Sequence, residues 1–118
     1  MDLSTLTIRQ ASDGLNKKDF SSFELVKAAL AQIEKIDKDI HAFLSIDEKG
    51  AFNQAREIDK RRVRGEPLGP LAGIPGAIKD AILVKGQPAT AASKILESYK
   101  ASYDATVISK LRQAGAVF

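Results

Sequence analysis

One lysine and one aspartate, Lys79 and Asp80, stand side by side in LAGIPGAIKDAILV (Leu71–Val84), a run whose other residues are apolar or small. Successive side chains of an extended strand alternate faces, so Ala77, Lys79 and Ala81 share one face and Ile78, Asp80 and Ile82 the other. The apolar setting predicts that at least one of the two charges is partly buried. Burial disfavours the charged form of any lysine, and a neutral amine accepts a proton and serves as a general base near pH 7. The glycines and prolines just before Lys79 would hold the backbone tightly and keep the approach narrow. A plainer reading stands beside this one: a lysine in a strand is often an edge charge or a side chain that reaches out to solvent, and Asp80 either helps hold Lys79 or its loop or is purely structural, simply partnering a cation.

The other chemistry-bearing residues are weaker signals. No serine is followed by lysine three positions on, so an enzyme built on Ser-x-x-Lys has no support. His41 is the only histidine, precedes a predicted strand and has no visible catalytic or metal partner. Gly73, Gly76 and Gly86 do not form a phosphate-binding loop, because no G-x-x-x-x-G-K-[ST] pattern exists. The basic run KRRVR (Lys60–Arg64) can touch RNA phosphates, but a solvated helix end explains it more simply, and no aromatic residues interleave it for base stacking. The absence of cysteine excludes disulfides and thiolate metal sites.

The totals fit these limits. The 118 residues suit one small domain that buries roughly 65% of the surface its unfolded chain exposes. A net charge of +3 permits contact with nucleic acid without arguing for it. The amino terminus, MDLSTLTIRQ, lacks a basic segment and a long apolar core, and no apolar run approaches the ~20 residues that span a bilayer. A soluble, cytoplasmic protein is expected.

The elements that must position Lys79 are predicted as follows. Leu3, Leu6, Ile8 and Leu15 suggest a helix over 4–16, weakened by Gly14. Ser21 and Glu24 have capping-box form and start a second helix whose apolar stripe runs to about Ile36. AFLSI (Ala42–Ile46) reads as a strand. A third helix covers about Glu48 to Arg64, with cations in its last turn and Gly65 as the stop. GEPLGPLAGIP is loop, and Ala77–Val84 reads as a strand broken by Lys85-Gly86-Gln87-Pro88. Ser93–Leu96 suggests a helical turn. Asp104 is the expected cap of a last helix closed by Gly115, and Ala116–Phe118 the start of a strand. A chain stopping three residues into such a run is expected to be a truncated piece of a longer domain.

GIPGAIKD (Gly73–Asp80), ASKIL (Ala92–Leu96), YDATV (Tyr103–Val107) and AGAV (Ala114–Val117), in this order, resemble the amidase signature family. More narrowly they are similar to its branch of A subunits of aspartyl/glutamyl-tRNA amidotransferases, as are DFSSFELV and IHAFLSI nearer the amino terminus. The similarity covers essentially the whole chain but only the first quarter or so of the family's usual length.

The resemblance implies that Lys79 is the catalytic base of a Ser-Ser-Lys triad. A neutral lysine takes a proton, through a bridging serine, from a nucleophilic serine that attacks a carboxamide and releases ammonia. The Gly- and Ser-rich segment that supplies both serines in the family is absent, and none of the serines present has a Gly-Ser-Ser-Gly context. Ala81 departs from the asparagine common in the family at that place. Thr90 and Ser93 lie near the pocket by the same resemblance. The parent is thereby expected to be the glutaminase subunit of a tRNA-dependent amidotransferase, and these residues alone to be inactive.

Its implied partners are the B and C subunits and glutamine as amide donor. Transfer RNA would be engaged mainly through the partner subunit, which uses ATP and magnesium; no cofactor or metal is assigned to this chain, and no membrane. The implied fold is α/β: a mixed sheet layered between helices, of which residues 1–65 supply a mainly helical lead-in and residues 66–118 the loop, the Lys79 strand, the final helix and the start of a strand. The isolated piece is expected to expose apolar surface and to self-associate. The alternatives are a stand-alone amidase of the same family and a non-catalytic interaction module.

Overall fold

The computed structural model describes all 118 residues. Four helices carry the chain: α1 (Ile8–Lys17), α2 (Ser22–Ile40), α3 (Glu48–Val63) and α4 (Thr106–Gln113), preceded by a single 3-10 turn at Leu3–Thr5. No helix is long and apolar enough to cross a membrane.

Side chains set the start of each of the first three helices, since the first N–H groups of a helix have no partner within it. Thr7 and Gln10 form a capping box that starts α1 at Ile8, four residues later than the apolar spacing predicts. The earlier residues turn instead onto the carboxylate of Asp2, which accepts from the Ser4 amide at 3.0 Å. Gly14 is inside α1 because the Phe20 ring packs there: a Cβ on Gly14 would lie 2.4 Å from Phe20 Cε1. The box of Ser21 and Glu24 opens α2 as expected, with the Ser21 amide 2.8 Å from Glu24 Oε2. This helix runs past Ile36 to Ile40 and closes on His41 in the left-handed conformation (φ 55°), whose N–H donates to the Asp37 carbonyl at 2.7 Å. The lone histidine is thus an exposed helix C-cap.

The strand expected at Ala42–Ile46 does not form. The Asp37 carboxylate takes the Ala42 N–H at 2.7 Å, no other segment lies alongside, and Leu44 and Ile46 are exposed. A strand exists only through pairing, so β-type residues without a neighbour remain loop.

α3 runs back along α2, and its Asp59 reaches the start of α2. The two carboxylate oxygens accept from the Ser22 and Phe23 amides at 2.8 and 3.0 Å. Asp59→Ala leaves both donors unpaired and is expected to cost about 1–2 kcal/mol, read as a lower urea midpoint with unchanged slope. An unchanged midpoint would show that water replaces this cap freely.

Small residues on α3 allow close helix approach. Ala51, Ala55 and Ile58 pack with Val26, Ala72 and Val117, while Ala11, Leu15, Leu25 and Ile74 form a second cluster. Ala72 and Ile74 belong to the Gly/Pro-rich segment, which therefore contributes to both clusters. Its main chain pairs with residues 114–117: Leu71 N–H to Ala114, Gly73 N–H to Gly115 and Gly76 N–H to Val117, at 2.8, 3.0 and 2.8 Å.

This pairing yields one isolated parallel bridge, Pro75 to Val117, and a second, antiparallel bridge joins Pro88 to Lys100. The strand expected over Ala77–Val84 is thereby corrected: among these residues the non-helical segments meet one another only at single bridges, and no sheet is formed. The chain instead has no regular structure from Gly76 to Lys79 and then turns, with the Ile82 N–H on the Lys79 carbonyl at 2.9 Å. The helix-rich lead-in of the first 65 residues stands. Ser93–Leu96 closes a turn, the Leu96 N–H meeting the Ser93 carbonyl at 3.1 Å. Asp104 does not cap α4, whose N-cap is Ala105 without a side-chain bond. The Asp104 carboxylate is taken by the Lys85 N–H at 2.7 Å and by Arg112 Nε at 3.0 Å.

Candidate active-site segment around Lys79 and Asp80

Lys79 closes the irregular stretch that leaves the core at Gly76. Its side chain is exposed and makes no hydrogen bond or ion pair with the rest of the chain. The half-buried member of the charged pair is Asp80. The expectation that one of the two charges is partly buried therefore holds for the aspartate, and these residues do not themselves bury the lysine.

Asp80 is enclosed by the segment Thr90–Ala92. Its Oδ1 accepts the Thr90 N–H at 3.0 Å, its Oδ2 accepts the Thr90 hydroxyl, and its main-chain carbonyl accepts the Ala91 N–H at 3.1 Å. Ala91 and Ala92 both have left-handed φ values, 48° and 58°. For residues bearing a Cβ that conformation costs about 1–2 kcal/mol each. The turn points the Thr90 and Ala91 N–H groups at Asp80, the first on its carboxylate and the second on its carbonyl. The Thr90 hydroxyl, then its amide, then the amides of Ala92 and Ala91 hold the Asp80 carboxyl below the ordinary aspartate range, against the opposing cost of desolvation.

The sign of the pH effect follows. A group whose pKa is lowered on folding stabilises the fold fully above its unfolded value, about 4 for aspartate, and loses that contribution as pH falls through the lower folded value. The Thr90 amide proton should therefore stay at one chemical shift above about pH 4 and move only at lower pH, and Asp80→Asn should abolish the movement. Titration of that amide between pH 4 and 6 would contradict the clamp.

Sequence spacing does not reveal this clamp, because an aspartate and a threonine ten residues apart carry no local pattern. Thr90 sits on Asp80; Ser93 is half-buried next to it, its N–H closing a turn on the Thr90 carbonyl at 2.8 Å.

The basic run is largely engaged by the chain itself. Arg61 and Arg64 share the Glu66 carboxylate at 2.9 and 3.0 Å. Arg62 turns inward, donating to Asn16 Oδ1 at 2.8 Å and to the Ala72 carbonyl at 3.0 Å. A helix end locked to its own loop accounts for the cluster.

Comparison with known proteins places this geometry in context. The family described as Amidase matches residues 24–118. The chain is similar to the A subunit of glutamyl-tRNA(Gln) amidotransferase from Salinispora tropica, 43% identical over 98% of this chain, and to that from Natranaerobius thermophilus, 48% identical over 99%. It spans about a quarter of the length of these relatives, 24% of each. Among solved structures, the native peptide amidase from Stenotrophomonas maltophilia superposes with a TM-score of 0.89 at 28% identity, over 97% of this chain and 24% of that one.

Proposed function

Because this chain belongs to the amidase family, we propose that it forms the amino-terminal part of the glutaminase subunit of a tRNA-dependent amidotransferase and that Lys79 is the general base. The observation that carries this reading is a lysine whose side chain is free of every other group in the chain, inside a segment that matches the family throughout. Identity of 43% and 48% with amidotransferase A subunits, against 28% with a peptide amidase, favours the amidotransferase over a stand-alone amidase.

In the proposed reaction a serine Oγ attacks the side-chain carboxamide carbon of glutamine. Its proton passes through a second serine to the Lys79 amine and from there to the departing nitrogen. The C–N bond breaks, ammonia leaves, and water hydrolyses the resulting ester to glutamate and free serine. Neither serine is among these residues, so they supply the base and the others must come from elsewhere in the whole enzyme. Burial of Lys79 would come from the same source. Ammonia would pass to a partner subunit that activates Glu-tRNA(Gln) or Asp-tRNA(Asn) with ATP and magnesium, and a small third subunit would brace the first. A cytoplasmic location goes with that role.

The test is to purify the full-length protein and measure glutamine-dependent amidation of misacylated tRNA. Co-purification of two further subunits and tRNA amidation are expected. Full amide hydrolysis with no partner and no tRNA dependence would favour the stand-alone amidase, and no hydrolysis of any amide would overturn both.

A further inference from the structure

The geometry points to Asp80 as a positioning residue for Lys79: seated on the hydroxyl and amide of Thr90, its carboxylate locks the stretch of main chain from which the lysine side chain emerges. The inference rests on the reading of Lys79 as the base.

Among these residues, few other hydrogen bonds hold that stretch. None of the N–H groups from Ala77 to Asp80 donates a hydrogen bond to the main chain. The nearest upstream anchor is the Gly76 N–H on the Val117 carbonyl at 2.8 Å. Downstream, the Lys79 carbonyl accepts from Ile82, and every remaining tie passes through Asp80: two to its carboxylate from Thr90 and one to its carbonyl from Ala91.

Lysine has a long side chain with four rotatable bonds and no internal preference for one direction. The place from which the amine can reach its partners is therefore set first by the placement of its own Cα. A catalytic group must sit close to its productive position, and a displacement of about 1 Å can cost about a hundredfold in rate. Two successive left-handed alanines, Ala91 and Ala92, persist opposite this carboxylate. Strain of that kind survives where the surroundings over-determine it, and here it turns the Ala91 N–H onto the Asp80 carbonyl beside the carboxylate that Thr90 holds.

The test uses the full-length enzyme with Thr90→Val, Thr90→Ser and Asp80→Asn beside a Lys79→Ala control. Thr90→Val removes the hydroxyl donor at nearly constant shape, and Thr90→Ser keeps it. Thr90→Val and Asp80→Asn are expected to lower kcat by about 10- to 100-fold, with KM for the amide changed by less than about twofold and Thr90→Ser close to the parent. Rates are taken per active site, by titration with an acylating inhibitor, so that misfolded enzyme does not count. A clamp that serves only stability would lower the melting temperature and leave kcat per titrated site unchanged, and that result overturns the inference. So does a raised KM with unchanged kcat. Should Thr90→Val fold poorly, the contrast between Asp80→Asn and Thr90→Ser decides. An inactive Lys79→Ala beside a fully active Thr90→Val removes the positioning role alone, whereas an active Lys79→Ala removes the base assignment and the positioning role together.

Discussion

Lys79→Ala in the full-length enzyme is expected to lower amide hydrolysis by about a thousandfold, the middle of the range for removing a general base. The measurement is ammonia release from glutamine, with kcat and KM separated. Among these residues the side chain is exposed and bonded to nothing else, so the melting temperature of the full-length variant is read beside the rate. A large loss of rate at constant melting temperature therefore isolates chemistry from stability. A residual rate within tenfold of the parent would remove Lys79 from the mechanism. The 118 residues by themselves should release no ammonia, since no serine among them has a Gly-Ser-Ser-Gly setting. A measurable rate from the pure chain, lost on Lys79→Ala, would contradict that expectation.

The largest effect on stability is expected from Gly115→Ala. Gly115 has φ +90°, and a Cβ there would lie 2.6 Å from the Ala72 Cα and 3.0 Å from its Cβ. The obstacle is the main chain of a residue only 7% exposed, so no flexible side chain can swing away. The cost combines a left-handed conformation with overpacking, about 3 kcal/mol in total. The loss should also weaken the Gly73 N–H bond to the Gly115 carbonyl, and with it the segment that leads to Lys79. Gly65→Ala separates the two contributions, because Gly65 has φ +71° and nothing within 4 Å of the added Cβ. It should lose only the conformational part, about 1–2 kcal/mol. Equal urea midpoints for the two variants would show that the close approach of Gly115 to Ala72 has no energetic weight.

The helical half was legible because its signals are local. Ser21 and Glu24 lie three residues apart and cap the helix they announce, and the cations of α3 lie in its last turn as expected. Gly115 ends α4, where a left-handed residue is needed. The start of α1 was misplaced because Leu3 and Leu6 carry helical spacing without a helix, packing instead against the cluster of Leu15 and Ile74. Asp104 illustrates the opposite error. It stands where a cap is expected, yet the Lys85 amide and Arg112 claim its carboxylate.

By itself the sequence determined that there are four helices, the Ser21 cap of α2 and the identity of one lysine set in an apolar run, since each depends on neighbours a few residues away. Tertiary structure alone decided which charge of the pair is enclosed and what encloses it. Asp59 meets Ser22 across 37 positions and Asp80 meets Thr90 across ten. Such bonds form when packing brings distant segments together, and they leave no period in the sequence. The strands failed for the same reason: β-type residues become strand only where another segment supplies the matching N–H and carbonyl groups, and from Ala77 to Lys79 no segment of these residues does so.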